Sequence, residues 1–329
     1  MDRRAFFANT GGVLLGLSLD LQAQGSATTR RIGFLSAYPH AAVAALLSEL
    51  RPELEKLGWT EGRNIALLVR TTDGGGNERL PSLAAELVSQ GPDLILVQTA
   101  PATRALMQAT KSIPIVLIGV GNPVEYGMVA DFGKPGGNVT GSSYLANEFA
   151  GKLLQLLKET APRLRSVALF VNRTNEHAAS FAKHLRADAA ALGMQVQVVE
   201  IAGQGDLEPA FAVIRRANTE SILLPPEPLI LSNRDAIAGF AQTHGLPLAV
   251  VGTRSSLPSS GLIAYGPTAL QYAQLTARYV DRILKGANPG DLPVEQPTRF
   301  HLVINLKTAK ALGLTIPQTL LLRADEVIQ

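Results

Sequence analysis

The stretch PIVLIGVGNPVEYGMVADFGKPGGNVTG, residues 114–141, decides how the chain is read. It opens as an unbroken apolar run, PIVLIGV, with the length and β-branched content of a strand buried on both faces. It then turns Gly-, Pro- and Asn-rich, which can continue neither a helix nor a strand. Two phosphate-binding motifs nearly fit it, and both fail. A P-loop needs four residues between its first Gly and Gly-Lys-Ser/Thr; here five residues separate Gly127 from Gly133-Lys134, and Pro135 stands where the hydroxyl belongs. A dinucleotide fingerprint needs a third Gly for close helix packing, but Gly119-Val120-Gly121 runs on to Val124. What remains is a strand end followed by a turn, Lys134-Pro135-Gly136-Gly137, with Pro and Gly at the central positions of type II. The stretch reads as a junction between two folded halves.

The sequence on either side supports this. Upstream, RIGFLS (31–36), NIALLVR (64–70) and DLILVQT (93–99) read as strands. Between them, Val43, Leu46, Leu47, Leu50, Leu54 and Leu57 share one helical face, with a kink expected at Pro52, and Leu80, Leu83, Ala84, Leu87 and Val88 share another. Past Gly141 the rhythm restarts with strands at 166–172, 195–201, 220–225 and 246–252, each separated by a helical pattern. Strand–helix alternation of this length means right-handed βαβ units and a parallel sheet. The expected fold class is α/β, with two doubly wound parallel-sheet lobes. Residues 30–140 form the first lobe and 141–261 the second. Residues 262–289 return to the first, and the lobe of the C-terminal segment 290–329 is left open.

Bulk composition agrees. A chain of 329 residues with 46% hydrophobic and 17% charged residues can bury two cores. The net charge of +3 comes from scattered residues, with no dense basic run interleaved with aromatics, so no nucleic-acid partner is expected. The N-terminus, MDRRAFFANTGGVLLGLSLDLQAQG, has a basic start, a short apolar middle and the small residue Ala23. That is the layout of a signal peptide over 1–23, cleaved near Ala23, too short to span a bilayer permanently. Its Arg3-Arg4-Ala5-Phe6-Phe7 also has the form of a twin-arginine signal. The alternative is a buried amphipathic helix. The absence of cysteine removes disulfides, thiol catalysis, thiolate metal sites and a lipid-anchored cysteine. A periplasmic protein without a lipid anchor is the expectation.

In open α/β sheets, ligands bind beyond the carboxyl ends of the strands. Those ends carry Ser36 and Tyr38, Thr99 with Thr103 one turn on, Asn122, Asn172, Glu227 and Tyr265. They are hydroxyls, amides, an acid and aromatics, with no nucleophile–base pair. His177 and His184 lie seven apart and read as exposed helix positions, and no Gly-x-Ser-x-Gly elbow occurs. Glu176 and Glu227 are isolated loop acids, of a kind usually solvated. The expectation is a ligand-binding protein and not an enzyme, with neither metal nor cofactor.

Four blocks carry a family resemblance: LGWTEGRNIALLVRTTDGGGNERLPSLAAELV (57–88), SIPIVLIGVGNPVEYGMVADFGKPGGNVTG (112–141), YVDRILKGANPGDLPVEQPTRFHLVINLKTAKALGLTIP (279–317) and LLRADEVIQ (321–329). In order and across nearly the whole chain after the leader, they resemble the ABC transporter substrate-binding proteins whose members include tryptophan- and tyrosine-binding proteins. The resemblance implies a type I periplasmic-binding-protein fold, two lobes joined by hinge crossovers and closing on a small-molecule ligand. It also implies a monomer that hands its ligand to an ABC permease in the inner membrane. For an amino acid, aromatic favoured, it would place the carboxylate near Ser36, Thr99 and Thr103, and the ammonium near Glu227. Asn172 would bond from the second lobe, and Tyr38 and Tyr265 would cover the side chain. Many relatives have Asp in the Gly-Val-Gly-Asp-Pro turn; Asn122 here removes that charge. The alternatives are a periplasmic sensor presenting solute to a membrane receptor, and a two-lobed cleft enzyme.

Overall fold

The computed structural model describes residues 29–73, 76–144 and 146–329; the leader expected over 1–23 lies outside them. The first half builds β1 (Arg30–Ser36), α1 (His40–Lys56), β2 (Ile65–Thr71), α2 (Leu80–Ser89), β3 (Leu94–Val97), α3 (Ala100–Ala109), β4 (Ile115–Val120) and β5 (Val139–Ser143). Their five strands form one parallel sheet in the order β2-β1-β3-β4-β5. β3 and β4 are the fully apolar runs LILV and IVLIGV because helices cover both faces. α1 continues unbroken through Pro52, whose ring sits on its exposed side.

The second half builds α4 (Ala146–Thr160), β6 (Ser166–Asn172), α5 (Ala178–Ala191), β7 (Gln195–Ile201), α6 (Leu207–Arg216), β8 (Ile222–Leu224), α7 (Pro228–Ser232), α8 (Arg234–Thr243), β9 (Leu248–Val251) and β10 (Ile263–Gly266). α9 (Ala269–Leu284), β11 (His301–Asn305), α10 (Leu306–Ala311), α11 (Gln318–Leu321) and β12 (Glu326–Ile328) follow. Here the order is β12-β11-β10-β9-β8-β6-β7. All neighbours are parallel except β10 and β11. The two parallel-sheet lobes expected from the sequence are present, and no helix among the described residues is long and apolar enough to cross a membrane.

The boundaries differ in detail from the expected ones. The second lobe was expected to begin at Gly141, but that residue lies inside β5, the edge strand of the smaller sheet. At φ +127 a Cβ there would fall 2.4 Å from the Leu117 backbone, so only glycine lets β5 lie this close to β4. The segment expected to return whole to the first lobe divides. β10 is held between β9 and β11 in the larger sheet, with Ile263 and Ala264 fully buried. Only α9 crosses back. It starts with a capping box, Thr268 to Gln271, and lays Ala273, Ala277, Tyr279 and Val280 against Val43, Leu47 and Leu50 of α1. The chain then runs beside β5, where the Ser143 N–H donates to the Glu295 carbonyl at 2.9 Å, before β11, α10, α11 and β12 complete the larger lobe. Three crossovers join the lobes: after β5, between β10 and α9, and between Glu295 and β11.

Candidate functional site

The carboxyl ends of β1, β3 and β4 in the smaller lobe face those of β6 and β8 in the larger. Between them lies a cavity of about 110 Å³. On the smaller lobe it is lined by Tyr38, Thr99, Ala100 and the Gly119–Gly121 backbone, with Tyr126 and Tyr144.

Thr99, two residues past β3, is the N-cap position of α3, with φ +77 and ψ 144. A β-branched residue rarely adopts this backbone, and such strain clusters at functional sites. Its Oγ1 is buried and has no hydrogen-bond partner. Beneath the cavity, Gly119 and Gly121 form a bed for two aromatic rings. A Cβ on Gly119 would stand 2.7 Å from Tyr272 Cε1, and one on Gly121 2.6 Å from Tyr126 Cε2. The Gly-Val-Gly that fails as a phosphate motif is there so that two tyrosines can lie on the strand end. The Tyr144 hydroxyl is also buried and unpartnered.

On the larger lobe the wall is Asn172, His177, Phe181 and the Pro225–Pro228 segment. Asn172 Nδ2 donates to Glu227 Oε1 at 2.8 Å, while its Oδ1 accepts from the Thr174 N–H and hydroxyl. Glu227 Oε2 accepts from the Ile230 N–H at 3.1 Å, capping α7. Burial raises the Glu227 pKa, and these hydrogen bonds offset part of the rise. No ion pair reaches this carboxylate among the described residues, so a buried acid faces the cavity without a cation. His177 was expected to be exposed but is largely covered. Its ring stacks on Tyr126 with centroids 3.4 Å apart and 15° between planes. Burial lowers its pKa, and its Nε2 lies 3.4 Å from Glu176 Oε1 without making a hydrogen bond.

Contacts among the described residues cross the cleft and close it. The Tyr38 hydroxyl donates to the Pro226 carbonyl at 2.7 Å, Tyr126 stacks on His177, the Ser180 hydroxyl bonds Glu125, and Arg104 pairs with Glu176 at 2.6 Å.

The structure brings Tyr38, Thr99, Asn172 and Glu227 together around one cavity. The other sequence candidates stand elsewhere. Ser36 is buried beneath the site, where it donates to Gln98 Oε1 and accepts from the Tyr38 N–H. Thr103 bonds back to the Thr99 carbonyl at 2.9 Å and so ties the first turn of α3. Asn122 Oδ1 accepts from the Glu125 N–H and its carbonyl from the Tyr126 N–H, fixing the turn that brings Tyr126 to the cavity. Tyr265 packs on Phe300 within the larger lobe, 5.8 Å between centroids. Glu176 and Glu227 do not pair, since each is held by its own partner. Sequence reasoning missed Tyr126, Tyr144, Tyr272 and the role of His177. The paired glycines 119 and 121 were the signal for the two ring contacts. No cluster of three or more His, Cys, Asp or Glu able to hold a metal occurs among the described residues.

Comparisons with known proteins place this geometry. Residues 32–328 match the family described as ABC transporter substrate binding protein. A tyrosine-binding protein of Clostridioides difficile is 26% identical over 286 residues, covering 87% of this chain and 81% of that protein. A conserved domain protein of Vibrio cholerae superposes with TM-score 0.85 at 28% identity, covering 91% of this chain and all of that one. The ABC domain of Streptococcus pneumoniae in complex with L-Trp gives TM-score 0.84 at 23% identity, covering 92% of this chain and 100% of that one. The ligand-free, open structure of an adhesive substrate-binding protein from Clostridium difficile gives only 0.67 at 24% identity, with the same coverage. The chain belongs to the ABC transporter substrate-binding protein family.

Proposed function

We propose that the protein is the periplasmic solute-binding component of an ABC importer and captures an aromatic amino acid in the inter-lobe cavity. The observation that carries this reading is the set of unmet polar groups around one closed space. Glu227 lacks a cation there, and Thr99 Oγ1, Tyr144 Oη and His177 Nε2 make no hydrogen bond. Buried polar groups are almost always satisfied, and a zwitterion satisfies these. Its ammonium meets Glu227, which Asn172 orients. Its carboxylate meets the Thr99 hydroxyl and the N-terminus of α3, where the helix dipole favours an anion. Its ring lies among Tyr38, Tyr126 and Phe181.

On this reading the residues perform no chemistry. Closing the cleft presents both lobes to the permease in one relative orientation, and the leader over 1–23 accounts for export. The tyrosine- and tryptophan-bound names among the relatives support the ligand class. The test is a thermal-shift screen of the purified protein against amino acids, aromatic acids and other small metabolites. Binding to the native state raises Tm by mass action. Tyrosine or tryptophan should give the largest rise. No rise with either, alongside a rise with another class, rejects the assignment.

A further inference from the structure

A second, larger chamber of about 670 Å³ lies on the other side of a thin partition from the inner cavity. The two share Tyr38, Gly119, Tyr144 and Pro226 as walls. Across the partition the Tyr38 hydroxyl donates to the Pro226 carbonyl. At this point three phenols approach one another. Tyr38 uses its hydroxyl on Pro226, whereas that of Tyr144, a residue only 6% exposed, has no partner. Tyr272 lies next to it and lines the outer chamber. Burial holds the Tyr144 and Tyr272 pKa values well above the usual phenol range, so both remain O–H donors at any physiological pH.

The remaining polar lining of the outer chamber is also donor-rich. α1 begins there at Pro39, with the Asp73 carboxylate accepting from the His40 N–H at 2.7 Å, and Ala41, Ala42 and Ala45 of its first turns line the chamber. α8 begins beside it at Asn233, and Arg234 and Asp235 of its first turn line the chamber. Of the two acids in the lining, Asp73 is engaged by the His40 N–H, and Asp235 is 83% exposed at its side chain, with its nearest oxygen 3.9 Å from the Arg234 Nε. The chamber therefore presents the Tyr144 and Tyr272 hydroxyls and the Arg234 guanidinium, donors that suit a carboxylate.

We propose that the outer chamber is the second half of the ligand site and takes the carboxylate end of a ligand longer than a free amino acid, a short peptide with an aromatic N-terminal residue. This rests on the aromatic-amine reading of the inner cavity. The first residue occupies the inner cavity, with its carbonyl at Thr99. The chain passes the partition as Tyr38 releases Pro226. The terminal carboxylate is received by the Tyr144 and Tyr272 hydroxyls and Arg234.

Titration calorimetry with the dipeptide Tyr-Ala, its C-terminal amide and free tyrosine tests this. The free-acid dipeptide should bind at least about tenfold tighter than the amide, the size of one charge-assisted hydrogen bond. Arg234→Gln and Tyr144→Phe should each narrow that gap, with the amide as the reference for a folded site. Equal binding of acid and amide, or a gap that survives both substitutions, overturns the inference, as does failure of either peptide to bind while free tyrosine does. Peptide binding without free tyrosine binding would instead overturn the single-amino-acid reading of the inner cavity and leave this one standing.

Discussion

The imidazole of His177 lies face to face on the ring of Tyr126, 3.4 Å between centroids. One ring belongs to the smaller lobe and the other to the larger, so the contact exists only when the cleft is shut. Stacked aromatic pairs contribute about 0.5–1.5 kcal/mol beyond their buried area. His177→Ala should therefore weaken ligand binding by about two- to tenfold, mostly through faster release, with little change in Tm. Surface plasmon resonance that found an unchanged off-rate would remove the stack from the closure mechanism.

The same contact gives a pH dependence. Burial lowers the His177 pKa below its ordinary 6.5, with Arg104 adding to the shift while Glu176 and Glu125 oppose it. The closed form thus holds fewer protons at this site than an open form with a solvated imidazole. Affinity should be full above about pH 6.5 and fall as pH drops below it, levelling once even the buried imidazole is protonated. Replacing His177 with Phe keeps a ring to stack and should abolish this slope. A slope that persists in His177→Phe assigns it to another group.

Thr99 joins strain to function. Its positive φ costs on the order of 1–3 kcal/mol, and glycine at the same position would cost only about 0.5–1 kcal/mol of extra chain entropy. Thr99→Gly should stabilise the empty protein by about 1 kcal/mol yet weaken the ligand. Thr99→Val keeps the β-branch, so only the hydroxyl is lost, and it should weaken the ligand by about tenfold without lowering Tm. If Thr99→Gly melts lower than the parent, the backbone there is not strained.

Glu227 should make the empty protein less stable as pH rises. Its folded pKa lies above the ordinary 4.5 because of burial. The native state therefore binds more protons than the unfolded chain between those two values, and stability is lost as pH rises through that window. Glu227→Gln removes the titration, so the Tm difference between parent and variant should shift in the variant's favour from about pH 4.5 upward. The variant should also lose amine-bearing ligands by at least about tenfold. A Tm difference that stays flat with pH would mean the carboxylate is ionised at no cost.

The two lobes were legible because each fully buried strand is a short apolar run and each helix repeats apolar residues on one face. β3 and β4 needed no tertiary information. β5 was not legible, since VTGSS carries no apolar run and is a strand only because Gly141 lets it close on Leu117. The site was half legible. Strand ends identified Thr99, Asn172 and Glu227 because the fold fixes where those ends point. Tyr126 and His177 were hidden because their burial comes from the opposite lobe, and no local pattern encodes a neighbour across a cleft. Ser36 and Thr103 had the right chemistry at the right ends, but their hydroxyls are spent on Gln98 and on the Thr99 carbonyl.

The glycine bed yields a test of its own. Gly119 has φ +57, where a left-handed alanine costs roughly 1–2 kcal/mol, and the new Cβ would also meet Tyr272 Cε1 at 2.7 Å. A ring is stiff and must move as a whole, so overpacking adds about 1–3 kcal/mol. Gly119→Ala should therefore lower Tm by roughly 5–15 °C for lobes of this size. Tyr272→Ala removes the ring and leaves the backbone cost. In that background the same substitution should cost about half as much, the difference being the coupling energy of the pair. An equal cost in both backgrounds would show that backbone conformation alone demands glycine here, and that Tyr272 adjusts freely over the strand end.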